Sequence, residues 1–118
     1  MRKLFILSLL LAAIPVSAAF YSTENLTVDA TAGGVPFTAT KITVAGQPPM
    51  TYADCTLRTA EIAYLWVDPA QTTLTATNGK LLEVGQQLIF QARQEMLNFR
   101  AIRTTGTSGV LDCIYKAP

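Results

Sequence analysis

The chain has 118 residues, of which 50% are hydrophobic and 14% are charged, and this length suits one compact core. The formal net charge of +1 is too small to hold a phosphate backbone, so we expect no nucleic acid partner. The sequence has no histidine, which is the side chain most often used for proton transfer near neutral pH and for metal binding. We therefore expect a protein that acts by contact and not by catalysis, with no cofactor and no metal site.

Residues 1–18 have the order of an export signal. Arg2 and Lys3 precede an apolar run over residues 4–14, and Pro15 is followed by small residues up to Ala18, as is typical before a cleavage site. The run is too short for a membrane span, which needs about 20 apolar residues. We predict an N-terminal hydrophobic helix that is removed by cleavage near Ala18. The alternative is a retained arm that docks on a partner subunit, and only in that form would the chain touch a membrane.

Residues 19–118 form the predicted domain, in which Thr, Val, Ile and Ala are frequent and Gly and Pro interrupt the chain. This composition favours short strands. The first predicted strand covers residues 20–32. Residues 35–44 alternate between the two faces expected of a half-buried strand, and Gly46 with Pro48-Pro49 indicates a turn after it.

The rest of the chain also predicts short elements. Strands are expected over residues 52–57, 62–66, 72–77, 80–84 and 87–90. The first two do not keep one register, which indicates either a β-bulge or a break between two strands. Residues 92–97 are good helix formers and predict a single helical turn. Residues 99–103 and 109–115 are then expected to pair as two strands around the loop between them.

Seven to nine short strands separated by turns predict an all-β domain. The expected fold is a small antiparallel β-sandwich or barrel of the jelly-roll or immunoglobulin-like type. Cys55 and Cys113 each lie on the apolar face of a predicted strand, where a disulfide can form. Export would place them in an oxidising compartment, and free buried thiols are the alternative.

Few residues in the sequence suggest chemistry. Asp54 and Asp112 each adjoin a cysteine and could face solvent together, as the paired carboxylates of a glycosidase do; two solvated residues on a sheet surface are the simpler interpretation. Tyr64 and Trp66 are candidate anchors of an interface, since such side chains dominate contact energies. Core packing is the alternative role for this pair.

Three stretches of the sequence carry a resemblance. They read ADCTLRTAEI at residues 53–62, TNGKLLEVGQ at 77–86 and FRAIRTTGTSGVL at 99–111. Over about residues 50–116 the chain resembles small uncharacterised all-β proteins of tailed phages. The resemblance implies a virion-associated subunit that serves in capsid decoration, in a fibre or in a connector, and it supplies no catalytic residues. The signal-like start departs from that family.

Two functions follow as expectations. The first is a structural subunit of a virion, whose partners are other virion proteins or further copies of itself. The second is an exported domain, periplasmic or extracellular, that binds a surface glycan or protein. Self-association or docking on another protein is expected in either case, because a domain of this size cannot hide every large side chain of a half-hydrophobic sequence.

Overall fold

In a computed structural model of the protein, residues 20–118 are described. They form seven strands and two short helices. In chain order these are β1 (Tyr21–Val28), α1 (Ala39–Ile42), β2 (Tyr52–Thr59), β3 (Ile62–Leu65), β4 (Lys80–Leu82), β5 (Gln87–Phe90), α2 (Arg93–Asn98), β6 (Arg100–Arg103) and β7 (Gly109–Lys116). The hydrophobic helix predicted for residues 1–18, and the domain boundary after it, lie outside the described residues.

The strands form two antiparallel sheets in a sandwich-like arrangement. One sheet has the order β1-β7-β2-β5 and the other has the order β4-β3-β6. Buried side chains from both sheets join a single hydrophobic cluster, with Leu57 and Leu111 from the first sheet and Ile62 and Leu82 from the second. A mostly β fold with two antiparallel sheets is therefore confirmed.

Aromatic rings fill the centre of the core. The ring of Phe37 stacks on that of Phe99 with their centroids 4.2 Å apart. Phe90 and Tyr115 meet Phe37 edge to face, at 5.6 Å and 5.3 Å, a geometry that adds to the effect of burial alone. Phe37 lies outside the strands, so a connecting segment supplies the residue that these rings surround.

The chain passes from one sheet to the other between β2 and β3. The register of β2 against β7 shifts between Leu57 and Thr59, and Ala60 has a φ of 46°. A positive φ is unusual for a residue with a side chain and turns the backbone sharply. Of the two alternatives left open by the sequence, the chain therefore breaks into two strands, β2 and β3. The pairing of β2 with β7 is irregular just before that break.

The prediction of a strand over residues 35–44 is wrong. Apart from a single bridge between Val35 and Ala101, this segment turns into α1, where the amides of Lys41 and Ile42 donate to the carbonyl oxygen of Thr38. Phe37 and Ile42 are both buried. In a strand, two residues five apart would point to opposite faces, so only a turn lets both reach the same core.

The polar strand predicted over residues 72–77 is also absent. The Asn78 side chain accepts a hydrogen bond from the amide of Thr75 and donates one to the carbonyl oxygen of Thr73. Such local bonds replace the ladder bonds that a strand needs. Only Leu74 keeps a bridge, to Gly33.

The two C-terminal strands do not pair with each other as predicted. β6 pairs with β3, whereas β7 lies between β1 and β2 in the other sheet. The loop after β6 therefore crosses from one sheet to the other. The helical turn predicted over residues 92–97 and the short strands predicted over 80–84 and 87–90 are confirmed as α2, β4 and β5.

Candidate interaction surface

The four-stranded sheet has one side turned away from the core, which we call the outer face. Burial alternates along each of its strands, as a half-exposed sheet requires. The more exposed residues that define the outer face are Tyr21, Thr23, Asn25 and Thr27 on β1, Val110, Asp112, Ile114 and Lys116 on β7, Tyr52, Asp54, Thr56 and Arg58 on β2, and Gln87 and Ile89 on β5.

One end of the outer face is aromatic and aliphatic. Tyr21 and Tyr52 flank Lys116 in a row across three strands, and the Lys116 ammonium lies 6.0 Å from the centre of the Tyr21 ring. Ile114 and Ile89 lie in the next row, on either side of Asp54. These two isoleucines are 50% and 47% exposed. An open hollow of about 660 Å³ lies over this end.

The other end of the outer face is polar. Gln87 donates a 2.7 Å hydrogen bond from Nε2 to Oδ1 of Asp54, and Arg58 Nε lies 2.5 Å from Oδ2 of Asp112. A smaller hollow of about 330 Å³ includes both carboxylates. Asp54 and Asp112 thus share one face, as the sequence indicated, and each already has a partner on that face.

A disulfide lies beneath the outer face. Cys55 and Cys113 are bonded, with their Cα atoms 4.1 Å apart, and both side chains are buried on the core side of the sheet. They join β2 to β7, the two central strands. The predicted bond is confirmed, and it ties together the strands that carry Ile114, Tyr52 and Lys116.

The structure places Tyr64 on β3 of the other sheet and Trp66 just after that strand. Tyr64 is 8% exposed and belongs to the core cluster, where burial raises its pKa. Trp66 is partly buried against the same cluster, with its ring 5.5 Å from that of Tyr64 and the Lys80 ammonium 4.8 Å from its centre. Their role as interface anchors stays a prediction, and the structure gives Tyr64 a core position.

A partly buried polar contact on the inner side of the sheet was not foreseen from the sequence. The Tyr115 hydroxyl donates to the Glu24 carboxylate, which also accepts bonds from Thr38 N at 3.1 Å and Thr38 Oγ1 at 2.7 Å. Burial, and then the hydrogen bond to Glu24 and its charge, raise the pKa of Tyr115. A signal was present in the sequence, since Glu24 shares a strand face with Leu26 and Val28.

The side chain of Arg93 makes a second set of polar contacts that was not predicted from the sequence. Its Nη1 donates to the carbonyl oxygens of Ile42 and Met50, at 3.0 Å and 2.9 Å, and its Nη2 donates to Thr43 Oγ1 at 2.6 Å. The guanidinium thereby holds the segment after α1 against the start of α2. Both sets of polar contacts hold the segment around α1, one against β1 and β7 and the other against α2.

Within residues 20–118, no group of three or more Cys, Asp or Glu side chains is placed to hold a metal ion. No helix in that part of the chain is long and apolar enough to cross a membrane. In comparisons with known proteins, the chain matches no family model, no curated protein and no solved structure. The resemblance to tailed-phage proteins therefore stays a prediction.

Proposed function

We propose that this protein is a non-catalytic interaction domain that docks another protein on its outer face. One observation carries the proposal: Tyr21, Ile89 and Ile114 are large apolar side chains that are each about half exposed, and all three lie on this face. Single exposed apolar residues are ordinary on protein surfaces. A group of them on one face marks a contact site, because a partner removes their apolar surface from water.

The chemistry of the outer face favours a protein partner over a glycan. Ile89 and Ile114 offer no hydrogen bond to a sugar hydroxyl, whereas apolar side chains with neighbouring tyrosines are typical of the centre of a protein interface. The ion pair of Arg58 with Asp112 lies at the polar end, where it suits the rim of such an interface.

The disulfide supports an exported setting for this domain. A bond between Cys55 and Cys113 persists in an oxidising compartment, which agrees with cleavage near Ala18 and a periplasmic or extracellular location. A virion surface is the setting implied by the sequence resemblance, and a decoration, fibre or connector subunit would use a docking face in the same way. We assign the two sheets to a jelly-roll or immunoglobulin-like sandwich as part of this proposal.

Site-specific photocrosslinking tests the proposed surface. A photoreactive phenylalanine derivative is placed at Ile114 in the full chain, which is then expressed in the cells that naturally make it and irradiated. The matched control carries the same derivative at Leu81, which is 60% exposed but lies on β4 of the other sheet. The crosslinked products are identified by mass spectrometry.

We expect one protein to be crosslinked from position 114 and not from position 81. Equal crosslinking from both positions would contradict it. Failure of position 114 to crosslink any protein, together with saturable binding of the chain on a glycan array, would replace the protein partner by a glycan. Quantitative mass spectrometry of intact virions tests the virion setting separately, because a structural subunit is present at a fixed copy number.

A further inference from the structure

We infer that the free edge of β1 pairs with β1 of a second copy of this chain, joining two four-stranded sheets into one. β1 is an edge strand of the sheet, and its eight residues pair with β7 on one side only. The inference goes beyond the docking proposed above, because it concerns a different surface and does not depend on the partner of the outer face.

The backbone shows which groups of β1 point outward. Ala117 N donates to the carbonyl oxygen of Phe20 at 2.9 Å, so Phe20 faces β7. Backbone groups alternate in direction along a strand, so Ser22 and Glu24 also face β7. The outward N–H and C=O groups are therefore those of Tyr21, Thr23, Asn25 and Thr27.

The disulfide gives the same assignment independently. Opposed residues in an antiparallel ladder have Cα atoms about 4.5 Å apart when they exchange no hydrogen bonds and about 5.5 Å apart when they do. The value of 4.1 Å for Cys55 and Cys113 identifies a pair without hydrogen bonds. Cys113 therefore directs its backbone groups to β1, where Glu24 is its opposite residue.

In the described part of the chain, the segment that follows β1 makes no backbone hydrogen bond to the four outward residues. Just beyond the strand, the carbonyl oxygen of Asp29 accepts from the amide of Arg103 on β6, so the free edge is confined to β1 itself. Val35 exchanges both of its backbone hydrogen bonds with Ala101, and the amide of Thr38 donates to the Glu24 side chain. Among the residues that the structure describes, no strand pairs with the outward side of β1. The other sheet edges are shorter, with three residues in β4 and four each in β5 and β6, and Val35 already bridges β6.

β1 also lacks most of the features that usually protect an edge strand. Natural edges carry Pro, Lys, a bulge or an inward charge that prevents pairing with another chain. β1 contains no Pro, Lys or Arg and pairs with β7 without a register shift. It does carry one inward-pointing charge, on Glu24, but Tyr115 and Thr38 already bond this carboxylate on the core side.

A second copy fits this edge because the edge is self-complementary. In an antiparallel pair related by a two-fold axis, each copy contributes the same four outward residues, and all four are uncharged. No like charges would therefore oppose each other on the outer face of the joint sheet. On the core side the two Glu24 side chains would meet, and each is already bonded to Tyr115 and Thr38. Each copy uses one edge, so the assembly closes as a dimer and presents two outer faces side by side.

Hydrogen exchange followed by NMR reads this pairing amide by amide. In the dimer, the amides of Tyr21, Thr23, Asn25 and Thr27 are expected to exchange slowly at high protein concentration and quickly after dilution. The amides of Ser22, Glu24 and Leu26 bond to β7 and are expected to be slow at both concentrations. A concentration-independent pattern, or protection of the four outward amides only when an unrelated protein is added, would overturn the inference.

Sedimentation of edge variants gives an independent test. Thr23→Pro removes an outward N–H, and Thr23→Lys places a charge at the edge; each is expected to raise the dimer dissociation constant about tenfold or more. The matched control, Thr56→Lys, adds the same charge to the outer face on the central strand β2 and is expected to leave the constant unchanged.

Two results would contradict pairing at β1. One is a wild-type chain that sediments as a monomer at the highest concentration reached; the other is dissociation by Thr56→Lys but not by Thr23→Lys. Circular dichroism checks the fold of each variant, and Thr23→Lys decides the matter if Thr23→Pro does not fold. Crosslinking from Ile114 is unaffected by these outcomes, so failure of this inference is distinguishable from failure of the proposed function.

Discussion

Cys55 and Cys113 face each other directly on the neighbouring strands β2 and β7, although 58 positions separate them in the sequence. The stretch between them contains β3, β4 and β6, which make up the whole of the second sheet. The disulfide therefore closes a loop around one layer of the fold. This constraint acts mainly on the unfolded chain, whose conformational freedom the bond reduces.

Removal of the disulfide should cost a large part of the stability. Replacing both Cys55 and Cys113 by Ala is expected to lower the free energy of unfolding by about 4 kcal/mol, the chain-entropy value for a loop of this length. Urea denaturation measures the loss. A reducing agent should destabilise the wild type by a similar amount and leave the variant unchanged. A loss below about 1 kcal/mol would show that the bond does not constrain the unfolded chain as argued.

Tyr115 should make the stability fall at alkaline pH. Its pKa is raised in the folded state above the ordinary value of 10.0, so its contribution is fully present below about pH 10 and declines above it. The expected slope is about 1.4 kcal/mol per pH unit. Denaturation of the wild type and of Tyr115→Phe between about pH 9 and about pH 12 measures it.

The variant isolates this contribution from that of other groups. Tyr115→Phe should be less stable than the wild type at neutral pH, because Glu24 loses a hydrogen-bond donor. The difference in the free energy of unfolding between the two proteins should shrink as pH rises. Above about pH 10 the Tyr115 hydroxyl loses its proton when the wild type unfolds, and the variant has no such proton to lose. A constant difference across the range would contradict the raised pKa of Tyr115.

Gly109 occupies a position where a side chain does not fit. A Cβ atom there would lie 2.5 Å from Ile62 Cγ2 and 3.0 Å from the carbonyl oxygens of Thr59 and Ala60. Gly109→Ala is therefore expected to cost about 1–3 kcal/mol through overpacking. Gly106 has no atom within 4 Å of the same position, so Gly106→Ala is the matched control and should be neutral. Equal stability of the two variants in urea denaturation would contradict the close packing.

Arg93 should matter more to stability than Arg58, although both are arginines with a clear partner. Arg93→Ala leaves the carbonyl oxygens of Ile42 and Met50 without their charged donor and is expected to cost about 1.5–3 kcal/mol. Arg58 forms an exposed ion pair with Asp112, and Arg58→Ala is expected to cost at most about 1 kcal/mol. Thermal unfolding of both variants measures the two losses of stability. A larger loss for Arg58→Ala than for Arg93→Ala would contradict this prediction.

Local patterns in the sequence predicted most of the four-stranded sheet. The alternation through Cys55 and through Cys113 correctly gave the buried faces of β2 and β7, and with them the disulfide and the shared surface of Asp54 and Asp112. The segment around Phe37 misled the prediction because its partner, Phe99, is distant in the sequence. An alternating pattern does not show whether a neighbouring strand is available to pair with it.

The outer face itself was only partly predictable. The strand patterns indicate which residues face outward, but the order of the strands depends on pairings between distant segments. Only that order places Tyr21 and Tyr52 on either side of Lys116. Tyr64 illustrates the same limit, since its residue type is equally suited to an interface and to a core.

Binding of a partner protein at the outer face can be measured through the affinities of one matched pair of variants. Ile114→Lys places a charge at the aromatic and aliphatic end of the outer face, and Leu81→Lys places the same charge on the other sheet. With the protein crosslinked from position 114 as the ligand, titration calorimetry should show a dissociation constant raised about tenfold or more for Ile114→Lys. Leu81→Lys should bind as the wild type does. Equal binding by Ile114→Lys and the wild type, or equal loss in both variants, would contradict binding at the outer face.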